Sequence, residues 1–185
     1  MLAQCAADFH GKVERYRRFA EVFEEYRPDM VILAGDLGKV DEKFFDVVDV
    51  DIYVVHGNMD GTLDEIREKV EFLDGRIVDI KGMKFMGVGN IYPEVGDERI
   101  DVIVSHIPPY RTRDRSFIRT HIGSKWLREV MEKSRPRYVI CGHVHEDAGH
   151  EIFGETHVIN CSIGKRGIAT LADFERGSIE MLGYL

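Results

Sequence analysis

Five short apolar runs in this chain each stop at Asp, Asn or His, and this repeated ending restricts the fold more than any other feature. The endings are "ADFHG", "AGDLG", "HGNMD", "VSHIPP" and "CGHVHE". Helical patterns separate some of them, such as "KVERYRRFAEVFEEY", in which Val13, Tyr16, Ala20 and Phe23 recur near helical spacing. Alternating strands and helices indicate an α/β domain. Ligands of such folds collect beyond the carboxyl ends of the strands, so we expect these polar residues to meet there.

The remaining segments extend the same alternation. Strands are predicted at "LAQCAA", "DMVILAGD", "DIYVVHGN", "GRIVDI", "MKFMGVG", "DVIVSH" and "RYVICGH", and helices at residues 42–48 and 124–134. A further helix is predicted at "TLDEIREKV", with Thr62 as N-cap and Glu65 completing a capping box. The tail, 151–185, is typical of strands with glycine turns. No repeat or linker divides the chain, so residues 1–185 are predicted to form one domain.

The composition argues against two classes of protein, duplex nucleic-acid binders and membrane proteins. The 185 residues are 44% hydrophobic and 31% charged, as in globular proteins, and the net charge of −8 argues against a duplex nucleic-acid binder. No apolar run approaches the roughly 18 residues of a membrane span, and the N-terminal segment lacks a basic signal region, so no membrane partner and a cytoplasmic location are expected. The three cysteines lie in or beside apolar runs, which favours reduced, buried thiols.

The residues at the strand ends are of types that bind metal ions. Any single strand-end Asp fits a turn or a helix cap, but five such ends together are hard to attribute to turns alone. Asp8 with His10, and His143 with His145, stand at i and i+2, so in an extended chain each pair could face one point. The other candidates are Asp36, which can bridge two ions, the Asn58 carbonyl oxygen and the His106 ring nitrogen. Mixed nitrogen and oxygen ligands suit Mn, Fe, Zn, Co or Ni better than Ca or Mg.

The order of these motifs resembles the calcineurin-like metallophosphoesterase superfamily, whose pattern is D-x-H, G-D, G-N-H-[DE], a later His and G-H-x-H. The matching positions run from residue 8 to 145. The resemblance implies two packed mixed β-sheets flanked by helices, a four-layer sandwich. It also implies two divalent transition-metal ions, with Mn favoured. The first would be held by Asp8, His10, Asp36 and His145, and the second by Asp36, Asn58, His106 and His143.

The resemblance further implies an enzyme, a dinuclear metal-dependent phosphoesterase that hydrolyses phosphodiester bonds. Its expected partner is a small phosphate ester, which could be nucleotide-like. A hydroxide bridging the ions would attack phosphorus in line. The catalytic residues of the enzyme would include Asp36, Asn58 and His106. Asp8, Asp36 and the hydroxide would cancel three of the four positive charges, so the centre stays attractive to phosphate. Histidine ligands must be neutral, so activity should fall below about pH 6. Related small phosphoesterases are often dimers or larger, so a homo-oligomer is also expected.

One position departs from the family pattern. Met59 stands where the family usually has a His that is assigned to protonating the leaving group. General acid catalysis is typically worth about 10²–10⁴ in rate, and its loss matters least when the leaving group is a weak base. In this respect the chain resembles branches that favour phosphodiesters or activated esters. Asp60 either orients a ligand or is merely an acid at a helix start, and we favour the first.

The loop after His106 offers substitutes for the missing group. His121 is either a catalytic residue on the substrate side or an exposed loop residue, and His121→Ala tests this by turnover at unchanged metal content. The loop also carries four arginines, which could bind substrate phosphate or form a solvated loop with Asp114 as an internal partner. They are Arg111, Arg113, Arg115 and Arg119. His56 is expected to face away from the site.

Two alternatives to the phosphodiesterase stay open. One is a non-catalytic interaction scaffold on the same fold, because a retromer subunit resembles the family yet serves as a binding module. The complete set of seven ligand positions argues against it. The other is a nuclease of the same superfamily, against which the small size and acidic charge weigh.

Overall fold

Two six-stranded sheets form the centre of the molecule. The computed structural model describes residues 1–40 and 42–184. The first sheet has the order β12 (Ser178–Leu182), β11 (Ala169–Asp173), β1 (Leu2–Ala6), β2 (Met30–Ala34), β3 (Ile52–Val55) and β4 (Glu71–Phe72). The second has the order β5 (Ile77–Ile80), β6 (Met83–Val88), β7 (Val102–Ser105), β8 (Tyr138–Cys141), β10 (Thr156–Asn160) and β9 (Gly149–Phe153).

Both sheets are mixed, and each contains four neighbouring parallel strands. In the first, β1 to β4 run parallel, and β11 and β12 are added antiparallel to one side. In the second, β6, β7, β8 and β10 run parallel between the antiparallel edge strands β5 and β9. The carboxyl ends of neighbouring parallel strands therefore share one edge, where the predicted polar endings lie.

Alternating side chains divide each central strand between two cores. In β2, Ile32 belongs to the core between the sheets, whereas Val31 and Leu33 face the opposite side. This is the period of two expected for a strand buried on both faces. The three cysteines are free and buried, as the sequence predicted. Burial raises the pKa of the Cys5 thiol, so it stays protonated.

Helices cover both outer faces. The first sheet is covered by α1 (Val13–Tyr26) and α2 (Glu42–Val47), and the second by α3 (Lys125–Ser134). The α3 N-cap is Ser124, whose side chain accepts a hydrogen bond from the Leu127 N–H. Helix, sheet, sheet and helix together confirm the predicted four-layer sandwich. None of the helices in the described ranges is long and apolar enough to cross a membrane.

One predicted helix is wrong. "TLDEIREKV" forms only a 3-10 turn at Asp64–Ile66, and the chain then joins the first sheet as β4. Leu63 takes a left-handed conformation with φ of 52°, and both Leu63 and Ile66 are buried in the core under α1. The Thr62 hydroxyl donates to the Asp64 side chain and caps nothing. Burial of two apolar side chains outweighs the local helix propensity, which is a weak signal.

Candidate active site

The ends of five parallel strands bring the predicted ligands together at one edge of the sandwich. Two sets of three residues each bring their ligand atoms within 4.8 Å of one another. One set is Asp8, His10 and His145, and the other is Asp8, Asp36 and His106. Each residue follows β1, β2, β7 or β8 within a few positions, so the strand ends fix where each side chain starts.

The first set converges on a small space beside Asp8. The Nε2 atoms of His10 and His145 are 3.1 Å apart, and Asp8 Oδ1 lies 3.3 Å from the His145 Nε2. Asp8 is fully buried, and its Oδ1 has no hydrogen-bond partner within residues 1–40 and 42–184. A buried carboxylate oxygen without a partner is costly, and a cation would satisfy it. The donor set therefore fits a divalent ion.

The second set is organised around His106. Its Nδ1 lies 2.8 Å from the carbonyl oxygen of Ala34, and a carbonyl can only accept, so Nδ1 carries the proton. In the neutral ring, Nε2 is then unprotonated and has a free lone pair, as a metal ligand requires. That atom lies 3.5 Å from Asp36 Oδ2 and 3.0 Å from Asn58 Oδ1. The His143 ring packs against His106 with centroids 5.1 Å apart.

Asp36 belongs to the second set and also approaches His10 of the first, whereas Asp8 is common to both sets. The Asp36 Oδ2 lies 3.5 Å from His106 Nε2 and 3.9 Å from His10 Nδ1. Its Oδ1 accepts the Met59 N–H at 2.9 Å, which fixes the carboxylate. A side chain at Gly57 would collide with this carboxylate, so only glycine permits the close approach of the β3 loop.

Four ligand candidates occupy strained backbone. The φ angles of Asp8, His10, Asp36 and His143 are 68°, 50°, 54° and 69°. Left-handed conformations are uncommon outside glycine, and they cluster at functional sites. The expectation of extended pairs is therefore wrong, because β8 ends at Cys141 and His145 starts a 3-10 turn. The turn directs His143 toward His106 and His145 toward His10, on two sides of the site.

The ionisation of these groups is coupled. Burial opposes ionisation of Asp8 and Asp36, but His145 and His106 outweigh it, so both carboxyl pKa values are lowered. Burial opposes charging of His106 too, yet Asp36 and Asp8 raise its pKa. Burial lowers the pKa of His10 and His143. Metal binding at His106 therefore competes with protonation, which the two carboxylates favour.

Three residues stabilise the loops that bear the candidate metal ligands, but they are not themselves candidate ligands. Arg15 donates to the carbonyl oxygens of Asp8, Phe9 and Gly164. The Asp60 side chain accepts the N–H groups of Gly38 and Gly57, at 3.0 and 2.9 Å. Asp60 thus ties the Asp36 loop to the Asn58 loop, which agrees with the orienting role favoured above.

The third is Asn160, buried at the end of β10. Its amide donates to the carbonyl oxygens of Val144 at 2.8 Å and Arg113 at 3.2 Å. Its Oδ1 accepts the Ser162 N–H. Val144 separates the two histidines of the last motif, so Asn160 fixes the turn that directs them apart. The sequence around Asn160 resembles a family loop, but nothing in it indicates these contacts.

We expect Asn160→Ala to weaken metal binding by about 10- to 100-fold, the range seen when partners of metal ligands are removed. Without the amide, the Val144 carbonyl is freed and the two histidines lose their relative placement. Metal titration followed by calorimetry measures the effect. Gln4→Leu is a matched control, because the buried Gln4 amide donates to the Phe19 carbonyl away from the site. Equal metal affinity in both variants would contradict the positioning role.

The loop after His106 is held by its own contacts. His121 Nδ1 bonds the buried Asp114 carboxylate, which also accepts the N–H groups of Arg111 and Gly123. The internal partner of Asp114 is thus His121, and the expected pairing with an arginine side chain is not seen in the described part of the loop. His121 keeps its other ring nitrogen for solvent or substrate, so its catalytic role stays a prediction.

The four arginines differ in availability. Arg113 is engaged by Asp147 and by the His150 carbonyl. Arg111 lies over the Tyr110 ring, and Arg115 and Arg119 are exposed. Binding of substrate by these arginines stays a prediction. Arg115 and Arg119 have no ion pair to break in the described part of the chain, so they could bind substrate most readily. His56 bonds Asp74 and stacks on Phe72, outside both ligand sets.

Carboxylates and imidazoles gathered at the strand ends of a two-sheet sandwich are typical of metal-dependent hydrolases. Residues 1–169 match the calcineurin-like phosphoesterase superfamily domain. The chain belongs to this superfamily of metal-dependent phosphoesterases, as the motif order predicted.

Individual proteins share the sequence or the fold of this chain. An uncharacterized protein of Methanocaldococcus jannaschii is 29% identical over 84% of this chain and 85% of its own length. A Thermus thermophilus protein of known structure has a TM-score of 0.71 at 15% identity, covering 98% of each chain. The structure of an archaeal phosphodiesterase has a TM-score of 0.67 at 20% identity, covering 98% of this chain and 99% of its own. At such identities the two structures show the fold alone.

Proposed function

We propose that this phosphoesterase holds two divalent ions, with Mn²⁺ as the preferred metal, and hydrolyses phosphodiesters. The observation that carries the proposal is the place of Asp36, whose Oδ2 lies within 4 Å of a ring nitrogen from each ligand set. One carboxylate oxygen between two groups of donors suits a pair of ions better than a single one.

The proposed ligands divide between two positions that share Asp36. Asp8, His10 and His145 complete the first, and Asn58, His106 and His143 complete the second. When bound, the ions supply a nucleophilic hydroxide at neutral pH and offset negative charge on the phosphoryl oxygens. The protein fixes the ligands before substrate arrives, through the Asp60, Arg15 and Asn160 contacts. Such fixed geometry lowers the reorganisation needed during reaction.

Met59 supports a preference for diesters. Its side chain is 68% exposed, and its N–H is bound to Asp36, so the residue that replaces the family's His stands at the site and cannot donate a proton. Without a general acid, leaving groups that depart as weak bases are favoured. An archaeal phosphodiesterase with this fold is compatible with such chemistry.

The test is hydrolysis of bis-p-nitrophenyl phosphate and p-nitrophenyl phosphate by metal-stripped protein, with and without Mn²⁺. We expect Mn²⁺-dependent cleavage, faster for the diester. His56→Gln is a matched control, because it removes a histidine outside both ligand sets and should leave activity unchanged. Cleavage of neither ester despite two bound ions would contradict the proposal and favour the scaffold alternative. Faster cleavage of the monoester would contradict the diester preference.

A further inference from the structure

A cavity of about 90 Å³ opens beside the second ligand set. Asn58 and His106 form its inner side, next to the proposed metal position. Asn90, Tyr92, Ser124 and Leu127 are among its other walls. A group bonded to a phosphate at the proposed metal position would therefore reach this cavity first.

The cavity has no charged wall. None of its lining residues is Asp, Glu, Lys or Arg. His106 must be neutral to act as a ligand. A carboxylate or second phosphate entering this space would lose hydration without gaining a cationic partner, which is unfavourable.

One wall of the cavity is the aromatic ring of Tyr92, which packs against Trp126. The Tyr92 ring packs edge-on against Trp126 with centroids 4.7 Å apart and an interplanar angle of 73°. Tyr92 is 52% exposed, so part of its surface is accessible to a ligand. Leu127 borders the cavity from α3, but its side chain is fully buried, so the accessible apolar surface comes from Tyr92. An aromatic ring placed against Tyr92 would gain both apolar burial and ring contact.

The side-chain amide of Asn90 is among the polar groups in the wall that are available for a hydrogen bond. The Ser124 hydroxyl caps α3, and the Ser105 hydroxyl donates to the Ile107 carbonyl. The Asn90 backbone N–H donates to Asp74, but its side-chain amide has no hydrogen-bond partner in the described part of the chain. The Asn90 amide can thus orient a polar atom on the ligand.

We propose that this cavity, lined by Tyr92, Asn90 and Leu127, is a subsite for an uncharged, ring-sized ester substituent of the substrate. The inference rests on the proposed function, because it places the phosphate at the ligand sets. The cavity volume of about 90 Å³ limits the substituent to the size of a small ring. The preferred substrate is then a diester with a neutral ring next to the phosphate.

The test is binding of phosphonates to Mn²⁺-loaded protein, since their carbon–phosphorus bond is not a hydrolysable ester. Phenylphosphonate should bind about 10-fold more tightly than methylphosphonate, and 4-carboxyphenylphosphonate should lose that gain. Calorimetry measures affinity, and the fluorescence of Trp126, the only tryptophan, reports occupancy because this residue contacts Tyr92. Tyr92→Ala should abolish the preference for the phenyl group, whereas Tyr92→Phe should retain it.

The outcomes separate the subsite from the proposed function. Methylphosphonate needs only the ligand sets, so equal binding of methyl- and phenylphosphonate would overturn the subsite alone. A phenyl preference that survives Tyr92→Ala would also overturn it. Failure of both phosphonates to bind would overturn the proposed function together with the subsite. Because Tyr92 is half-exposed, its truncation should leave methylphosphonate affinity unchanged, which verifies that the variant folds.

Discussion

Replacing Asp36 with Asn is expected to lower kcat/KM for bis-p-nitrophenyl phosphate by more than about 100-fold. Removing a partner of a metal ligand typically costs 10- to 100-fold, and loss of a ligand shared by two ions should exceed that. Asp36 Oδ2 lies 3.9 Å from His10 Nδ1 and 3.5 Å from His106 Nε2, and we propose it as the ligand that the two ions share. Asn keeps the size and can still accept the Met59 N–H, so the change acts on charge and ligation.

Metal content distinguishes this role from a structural one. We expect fewer than two ions per chain in Asp36→Asn, and a smaller rise in melting temperature on adding Mn²⁺ than in the wild type, because bound ligand stabilises the native state by mass action. His56→Gln serves again as the control, with normal metal content and activity. Two bound ions and unchanged kcat/KM in Asp36→Asn would refute the shared-ligand role.

The sequence predicts which polar side chains come together at the strand ends because their signal is local. An apolar run followed at once by Asp, Asn or His marks the end of a buried strand, and parallel strands bring their ends to one edge. Asp8, Asp36 and His106 obey this rule, and their donor atoms come together in the structure. The same rule fails for backbone conformation, because the turns at Asp8 and His143 begin just where the strand geometry stops.

The supporting contacts could not be predicted because they are non-local. Arg15 reaches the Gly164 carbonyl across 149 positions of the sequence, and Asn160 binds the Arg113 carbonyl across 47. Both bonds go to backbone carbonyls, which have no residue signature. Thr62 shows the opposite failure, where a complete local capping pattern is overridden by burial of Leu63 and Ile66.

Replacing Met59 with His is expected to create a proton donor at the position where the superfamily usually has one. The Met59 N–H is fixed on the Asp36 carboxylate and its side chain is 68% exposed, so an imidazole there would start next to the ligand sets without repacking the core. A general acid is worth about 10²–10⁴ in rate, mainly for leaving groups that are strong bases. Hydrolysis of methyl phenyl phosphate should therefore increase by up to this factor.

Comparison with methyl 4-nitrophenyl phosphate isolates the proton transfer, because the two diesters share their charge and their methyl group and differ in leaving-group basicity. The nitrophenyl ester should gain little from Met59→His, since nitrophenolate departs without protonation. Met59→Gln controls for polarity and size, and should accelerate neither ester. Equal gains for both esters, or a gain in Met59→Gln, would show that the substitution improves substrate binding instead. A gain confined to the phenyl ester and lost at high pH would show that the chain's preference for weakly basic leaving groups depends on the residue after Asn58.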